Sequence, residues 1–182
     1  MIIGIVGVAG SGKTIVARHL VEVAGYRRLA FAAPLKRMLK AGLGLTDEQL
    51  DGDHKQRVDP VLGSRTPRYL MQTLGTEWGR RMVGPDVWSR VWTRDAAAMG
   101  GNIVADDVRF SNEADAIRAL GGVVWRVHRP GLMIDQHASE RAGRRIEEDE
   151  LIMNATSIPE LIRSVDALIG GLVQQQKETT NG

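Results

Sequence analysis

No cysteine occurs in the 182 residues, which excludes a disulfide framework and a thiolate metal site and makes a cytoplasmic setting the economical expectation. Aromatic residues are scarce at 4%, so each of Trp78, Trp88, Trp92 and Trp125 needs a reason to be there. No apolar run reaches the length of a membrane span, and the N-terminal apolar segment is short and lacks a basic leader. A soluble chain with no membrane partner and no signal peptide is therefore expected. An excess of one charge is also missing: 24 Lys and Arg against 22 Asp and Glu leave +2, too little to argue for a stable nucleic-acid partner. There is no internal repeat and no low-complexity tract. What remains is a chain with 43% hydrophobic residues, long enough for one domain with a sizeable core and insertions, and too short for two full ones. The basic residues gather at Arg27-Arg28, Lys36-Arg37, Arg80-Arg81, Arg126 to Arg129 and Arg141 to Arg145, mostly beside turns and expected helix starts. Any one such cluster is equally well an ordinary solvated surface.

Residues 7 to 14 read Gly-Val-Ala-Gly-Ser-Gly-Lys-Thr directly after the apolar run Ile2–Val6, and an apolar helical stretch from Ile15 to Val23 follows. This fills every fixed position of the G-x-x-x-x-G-K-[ST] phosphate loop in the strand-to-helix context that the motif requires. Gly7, Gly10, Ser11 and Gly12 would turn the backbone so that its N–H groups and the helix N-terminus hold phosphate oxygens. Lys13 would reach the β- and γ-phosphates of ATP, and the Thr14 hydroxyl would sit on Mg²⁺.

Apolar runs at Ile2–Val6, Ile103–Ala105 and Val123–Val127 read as buried strands of a parallel sheet, with Leu29–Ala32 and Leu151–Met153 as two further strands. Helical stretches lie between them at Thr14–Ala24, Pro34–Ala41, Pro67–Met82, Val87–Met99, Asn112–Leu120 and Ile158–Gln174. Strands alternating with helices predict an α/β fold with a central parallel five-stranded sheet and ligands at the carboxyl ends of the strands. The last helix has a legible start, with Ser157 as N-cap, Glu160 completing a capping box and Pro159 in the first turn. Residues 174–182 are polar and aperiodic, which suggests a frayed tail. Residues 33 to about 100 hold far more chain than a crossover needs and read as a helical insertion. Residues 130–148, rich in charge and glycine, fit either a lid or a plain polar loop.

Asp106 and Asp107 end the Ile103–Ala105 strand, where a carboxylate can hold Mg²⁺ opposite Thr14, or can instead cap the helix near Asn112. Arg109 emerges at the same sheet edge, placed to grip a transferring phosphate or to pair with Glu113 four residues on. His137 has no histidine partner at ligand spacing and reads, with Ser139 and Glu140, as a hinge or turn element.

Taken together, the phosphate loop, Phe31–Lys36, Leu45–Gly52, Thr66–Glu77 and Asp106–Glu113 resemble the bacteriophage deoxynucleoside monophosphate kinases, and His137-Ala138-Ser139-Glu140 after Arg129-Pro130-Gly131 follows the same pattern. The likeness runs from residue 1 to about 170. It implies a P-loop kinase core (1–32, 101–129, 149–175), an insertion at 33–100 that binds the nucleoside monophosphate, and a lid at 130–148. It also implies transfer from ATP, with Mg²⁺, to deoxynucleoside monophosphates, for nucleotide supply in phage DNA synthesis. Such a transfer needs no general base, because the acceptor oxygen is already anionic; it needs alignment and charge neutralisation. Lys13, Asp106 and Arg109 are then the expected catalytic set. Lys36 and Arg68 are candidates for the acceptor's phosphate. Gln72, one helical turn after Arg68, is a candidate for a base edge, and Tyr69 and Trp88 for stacking on the base. Arg129, Arg141 and Arg144 are candidates to close over the transferring group. Two departures from the family pattern stand out: Lys13-Thr14-Ile15 where many members have Lys-Asp-Thr, and Asn154-Ala155-Thr156 where Asn-Asp-Gly and adenine contacts are expected. Kinases of another small acceptor, such as dephospho-coenzyme A or a sugar acid, and a DNA-dependent ATPase or nucleotide switch are the competing readings; homodimerisation is left open.

Overall fold

The computed structural model describes residues 1–132, 143 and 145–180. The chain divides into two compact units, one of Met1–Arg28 with Gly101–Gly182 and one of Leu29–Gly100.

The first unit is built on β1 (Ile2–Val6), whose burial pattern shows why it takes the centre of the sheet: from Ile3 onward every residue is buried. β1 leads through the phosphate loop into α1 (Lys13–Glu22) and then β2 (Arg27–Arg28). Five strands, all parallel, stand in the order β2-β3-β1-β4-β5, with β3 at Ile103–Ala105, β4 at Val123–His128 and β5 at Glu150–Met153. A sheet covered on both faces needs continuous apolar strands, and Ile3, Ile5, Val104, Trp125, Val127 and Ile152 supply them, packed with Leu20 of α1 and with Leu161 and Val165 of the C-terminal helix. Trp125 is fully buried here, which matches a structural reading of that residue.

The second unit carries α2 (Ala33–Leu43), α3 (Asp47–Leu50), two short 3₁₀ turns, α4 (Pro67–Gln72) and α5 (Val87–Met99). Its core is Leu35, Leu39, Leu45, Leu50 and Trp88. Back in the first unit, α6 (Ser111–Ala119) connects β3 to β4, and α7 (Ile158–Thr180) closes the chain. Among the described residues no helix is long and apolar enough to cross a membrane.

Three expectations change. The second strand is Arg27–Arg28 rather than Leu29–Ala32. Leu29 and Phe31 are buried, but the Leu29 carbonyl accepts the Trp92 indole N–H at 2.8 Å and Phe31 stacks on Trp92, so an indole replaces a ladder partner. The expected helix Pro67–Met82 is α-helical only to Gln72; Thr73–Val83 continues as a π-helix. Finally, α7 runs on to Thr180. Gln, Lys and Glu are good helix formers and neither Gly nor Pro occurs from Gln174 to Thr180, so the helix continues where the apolar periodicity is lost.

Candidate functional site

The phosphate loop starts where β1 leaves the middle of the sheet. Gly7 has no room for a side chain: a Cβ there would lie 2.5 Å from the Val127 carbonyl oxygen and 2.7 Å from Ser11 Oγ. The turn therefore presses directly against β4. Lys13, the first residue of α1, folds its ammonium back over the loop, donating to the carbonyls of Gly7 at 2.7 Å and Val8 at 2.8 Å. A cation held this way is already poised over the concavity in which phosphate oxygens would sit. Ser11 is fully buried, and its Oγ has no hydrogen-bond partner among the described residues.

Lys13 lines one cavity with Asp106, Asp107 and Arg109, so four residues separated by up to 96 positions converge at the strand ends. Asp106 is buried, and its Oδ1 accepts from Arg28 Nε at 2.8 Å. Arg28 thus partly neutralises and fixes the carboxylate, a role that sequence reading missed because Arg28 sits in no motif; the signal was its place at the end of a strand beside β3. Glu113, also buried, receives the backbone N–H groups of Arg109 at 2.7 Å and Phe110 at 3.2 Å. That carboxylate serves the start of α6, while Asp106 and Asp107 line the cavity. Arg126 was a second omission. From β4 it lines the same cavity, and its guanidinium donates to Glu148 at 2.7 Å and to the carbonyls of Gly143 and Ile146. This hydrogen bond from Arg126 holds the Glu148 carboxyl below the usual glutamate range, against the opposing effect of burial.

The donor set suits a hard cation. Asp106 and Asp107 offer carboxylate oxygens beside Lys13, and among the described residues no cluster of three or more acidic or histidine ligands exists. Mg²⁺ is usually held by one or two carboxylates together with nucleotide phosphates, so that sparse set is what it needs. Thr14 lies in the first turn of α1, exposed.

Other expected residues stand elsewhere. Arg129 is exposed just past β4. Arg141, Arg144 and the segment His137 to Glu140 lie outside the described residues. In the second unit, α4 starts as Thr66-Pro67 demands, with Thr66 Oγ1 accepting from Tyr69 N at 3.1 Å, and it carries Arg68, Tyr69 and Gln72 within six residues. Tyr69 is 42% exposed with the Arg65 guanidinium 4.9 Å from its ring centre. Lys36 forms an ion pair with Asp51. Trp88 is 4% exposed, packs against Gly79 and donates its indole N–H to the Gly75 carbonyl at 2.8 Å. Its surface and its polar atom are both taken up by packing, which leaves Tyr69 as the accessible ring of the two.

The family model described as deoxynucleotide monophosphate kinase matches residues 55–165. A candidate deoxynucleotide monophosphate kinase of Acanthamoeba polyphaga mimivirus is 33% identical over 191 residues, covering 96% of this chain and 98% of that protein. Among solved structures, a shikimate kinase from Aquifex aeolicus superposes with a TM-score of 0.53 at 12% identity, covering 96% of this chain and 99% of that one. A gluconokinase from Sinorhizobium meliloti gives 0.52 at 17% identity, covering 97% and 95%. At such identities these two likenesses speak for the α/β P-loop kinase fold alone.

Proposed function

This chain belongs to the deoxynucleotide monophosphate kinase family, and from that membership we propose that it transfers the γ-phosphoryl group of ATP to deoxynucleoside 5′-monophosphates, releasing ADP and the diphosphate. The observation that carries the reading is the convergence of Lys13, Asp106, Asp107 and Arg109 on one cavity beside the phosphate loop. In this reading the acceptor phosphate oxygen attacks the γ-phosphorus as the bond to the β,γ-bridging oxygen breaks, and no side chain has to take a proton. Lys13 releases its loop carbonyls to hold the β- and γ-oxygens. Arg109 neutralises charge on the transferring group. Asp106, held by Arg28, and Asp107 present oxygens toward Mg²⁺, with Thr14 assigned to the same ion. Bound by these residues, Mg²⁺ would offset phosphate charge during the transfer.

The acceptor is assigned to residues 33–100, with Lys36 and Arg68 on its phosphate, Gln72 on its base edge and Tyr69 against its ring, while Trp88 supports that surface from within. Residues 130–148, with Arg129, Arg141 and Arg144, are assigned the lid. The role served is deoxynucleotide supply for DNA synthesis, in the cytoplasm.

Incubating the protein with ATP, Mg²⁺ and each of the four deoxynucleoside monophosphates, with the ribonucleotides alongside, tests this by chromatography. The expected result is a deoxynucleoside diphosphate in amounts equal to ADP. Consumption of ATP with no diphosphate formed from any monophosphate would overturn it and redirect attention to another small acceptor.

A further inference from the structure

The last residue before the turn into α7, Asn154, touches the phosphate loop. Its backbone N–H extends the β4–β5 ladder by donating to the His128 carbonyl at 2.7 Å, which fixes the residue at the end of β5. From there its side-chain amide donates to the Ser11 carbonyl at 2.8 Å. The same amide backs onto Gly12: a Cβ on Gly12 would lie 2.7 Å from Asn154 Nδ2 and 3.4 Å from Leu161 of α7. Gly12 is the αL residue that precedes α1, with φ of 110°.

In a trans peptide the carbonyl and the N–H point in opposite directions, and no peptide bond among the described residues is cis. Drawing the Ser11 carbonyl toward Asn154 therefore aims the Gly12 N–H away from β5. Gly12 is one of the backbone donors assigned to phosphate. We propose that Asn154 is a positioning residue of the phosphate loop: its amide fixes the Ser11–Gly12 peptide plane, so that it supports the binding of any triphosphate and makes no contact specific to adenine. This rests on the reading of residues 7–14 as an ATP phosphate site.

The test is calorimetric titration of the full chain with ATP, GTP and inorganic tripolyphosphate, each with Mg²⁺. Asn154→Asp keeps the volume but sets a carboxylate oxygen against the Ser11 carbonyl. The expected result is a loss of about tenfold or more, equal for all three ligands, as befits one lost and one repulsive polar contact. If the Asp variant melts below the assay temperature, Asn154→Ala, which only deletes the donor, is read the same way. A loss confined to ATP would overturn the proposal and make Asn154 an adenine contact; affinities within twofold of wild type would also overturn it. A wild-type chain that binds none of the three would overturn it together with the phosphate-loop reading, and is recognised because the failure needs no mutation.

Discussion

The two units place their polar groups by different means. In the sheet unit, Lys13 and Glu113 stand in the first turns of α1 and α6 and Asp106 just past β3, and each is tied to backbone or to a counter-charge: Lys13 to two loop carbonyls, Asp106 to Arg28, Glu113 to two N–H groups. In the Leu29–Gly100 unit the candidate groups ride on helices, and the exposed or part-exposed Lys36 and Tyr69 are partnered by the side chains of Asp51 and Arg65. A group held by backbone keeps its place whatever the solvent does, whereas exposed side-chain pairs exchange easily with water or ligand. The first arrangement suits stabilisation of charge during transfer, which rewards preorganised groups; the second suits recognition of an acceptor that must enter and leave.

Removing a preorganised charge should accordingly give the largest effect. Lys13→Ala and Arg109→Ala are each expected to lower kcat by roughly a hundredfold or more, with melting temperature little changed. Steady-state kinetics with ATP and the best monophosphate measures it. Near-normal turnover in Arg109→Ala would take that residue out of the mechanism and weaken the contrast between the units.

The second unit breaks through packing. A Cβ added at Gly79 would fall 2.5 Å from Trp88 Nε1, and the indole cannot retreat without giving up its bond to the Gly75 carbonyl. Gly79→Ala should therefore destabilise the protein by about 1–3 kcal/mol, read as a lower midpoint in urea. Affinity for tripolyphosphate, which the proposal assigns to the sheet unit, should stay within twofold while the KM for the monophosphate rises. An unchanged midpoint would mean that Trp88 is not the keystone of this helical cluster.

These cases also show what could be read without coordinates. The phosphate loop was legible because its chemistry demands glycines and a lysine at fixed spacing, and Asp106, Asp107 and Arg109 because an acidic pair and an arginine follow an apolar strand. Long-range ties were not legible. Nothing local in Arg28 announces Asp106, 78 residues on, and nothing in Asn154 announces Ser11, 143 residues back. Leu29–Ala32 looked like a strand because apolar runs do; what decided against it was Trp92, 63 residues away, which took the carbonyl that a neighbouring strand would have used. The π-helix at Thr73–Val83 has no periodicity signal that separates it from an α-helix over so short a stretch.

Arg126 and Glu148 offer the gentlest probe of the contrast, because this tie in the sheet unit does depend on a side-chain charge. The Arg126 hydrogen bond depresses the Glu148 carboxyl, so the folded state holds that proton more weakly than the unfolded chain does. Such a group stabilises the fold above the unfolded glutamate pKa of about 4.3, and the contribution disappears as pH falls through the lower folded value. Glu148→Gln should thus melt below wild type at pH 7, by an amount worth at most about 1 kcal/mol for a partly exposed pair. The gap should close as pH falls below about 4.3 and on through the lower folded value, where the wild-type carboxyl takes up its proton. Thermal melts of both proteins across that range measure the difference directly. A gap that stayed constant with pH would mean that Glu148 acts through packing, and that the ties of this segment to β4 are the carbonyl bonds of Arg126 and the Asp149–Val124 bonds.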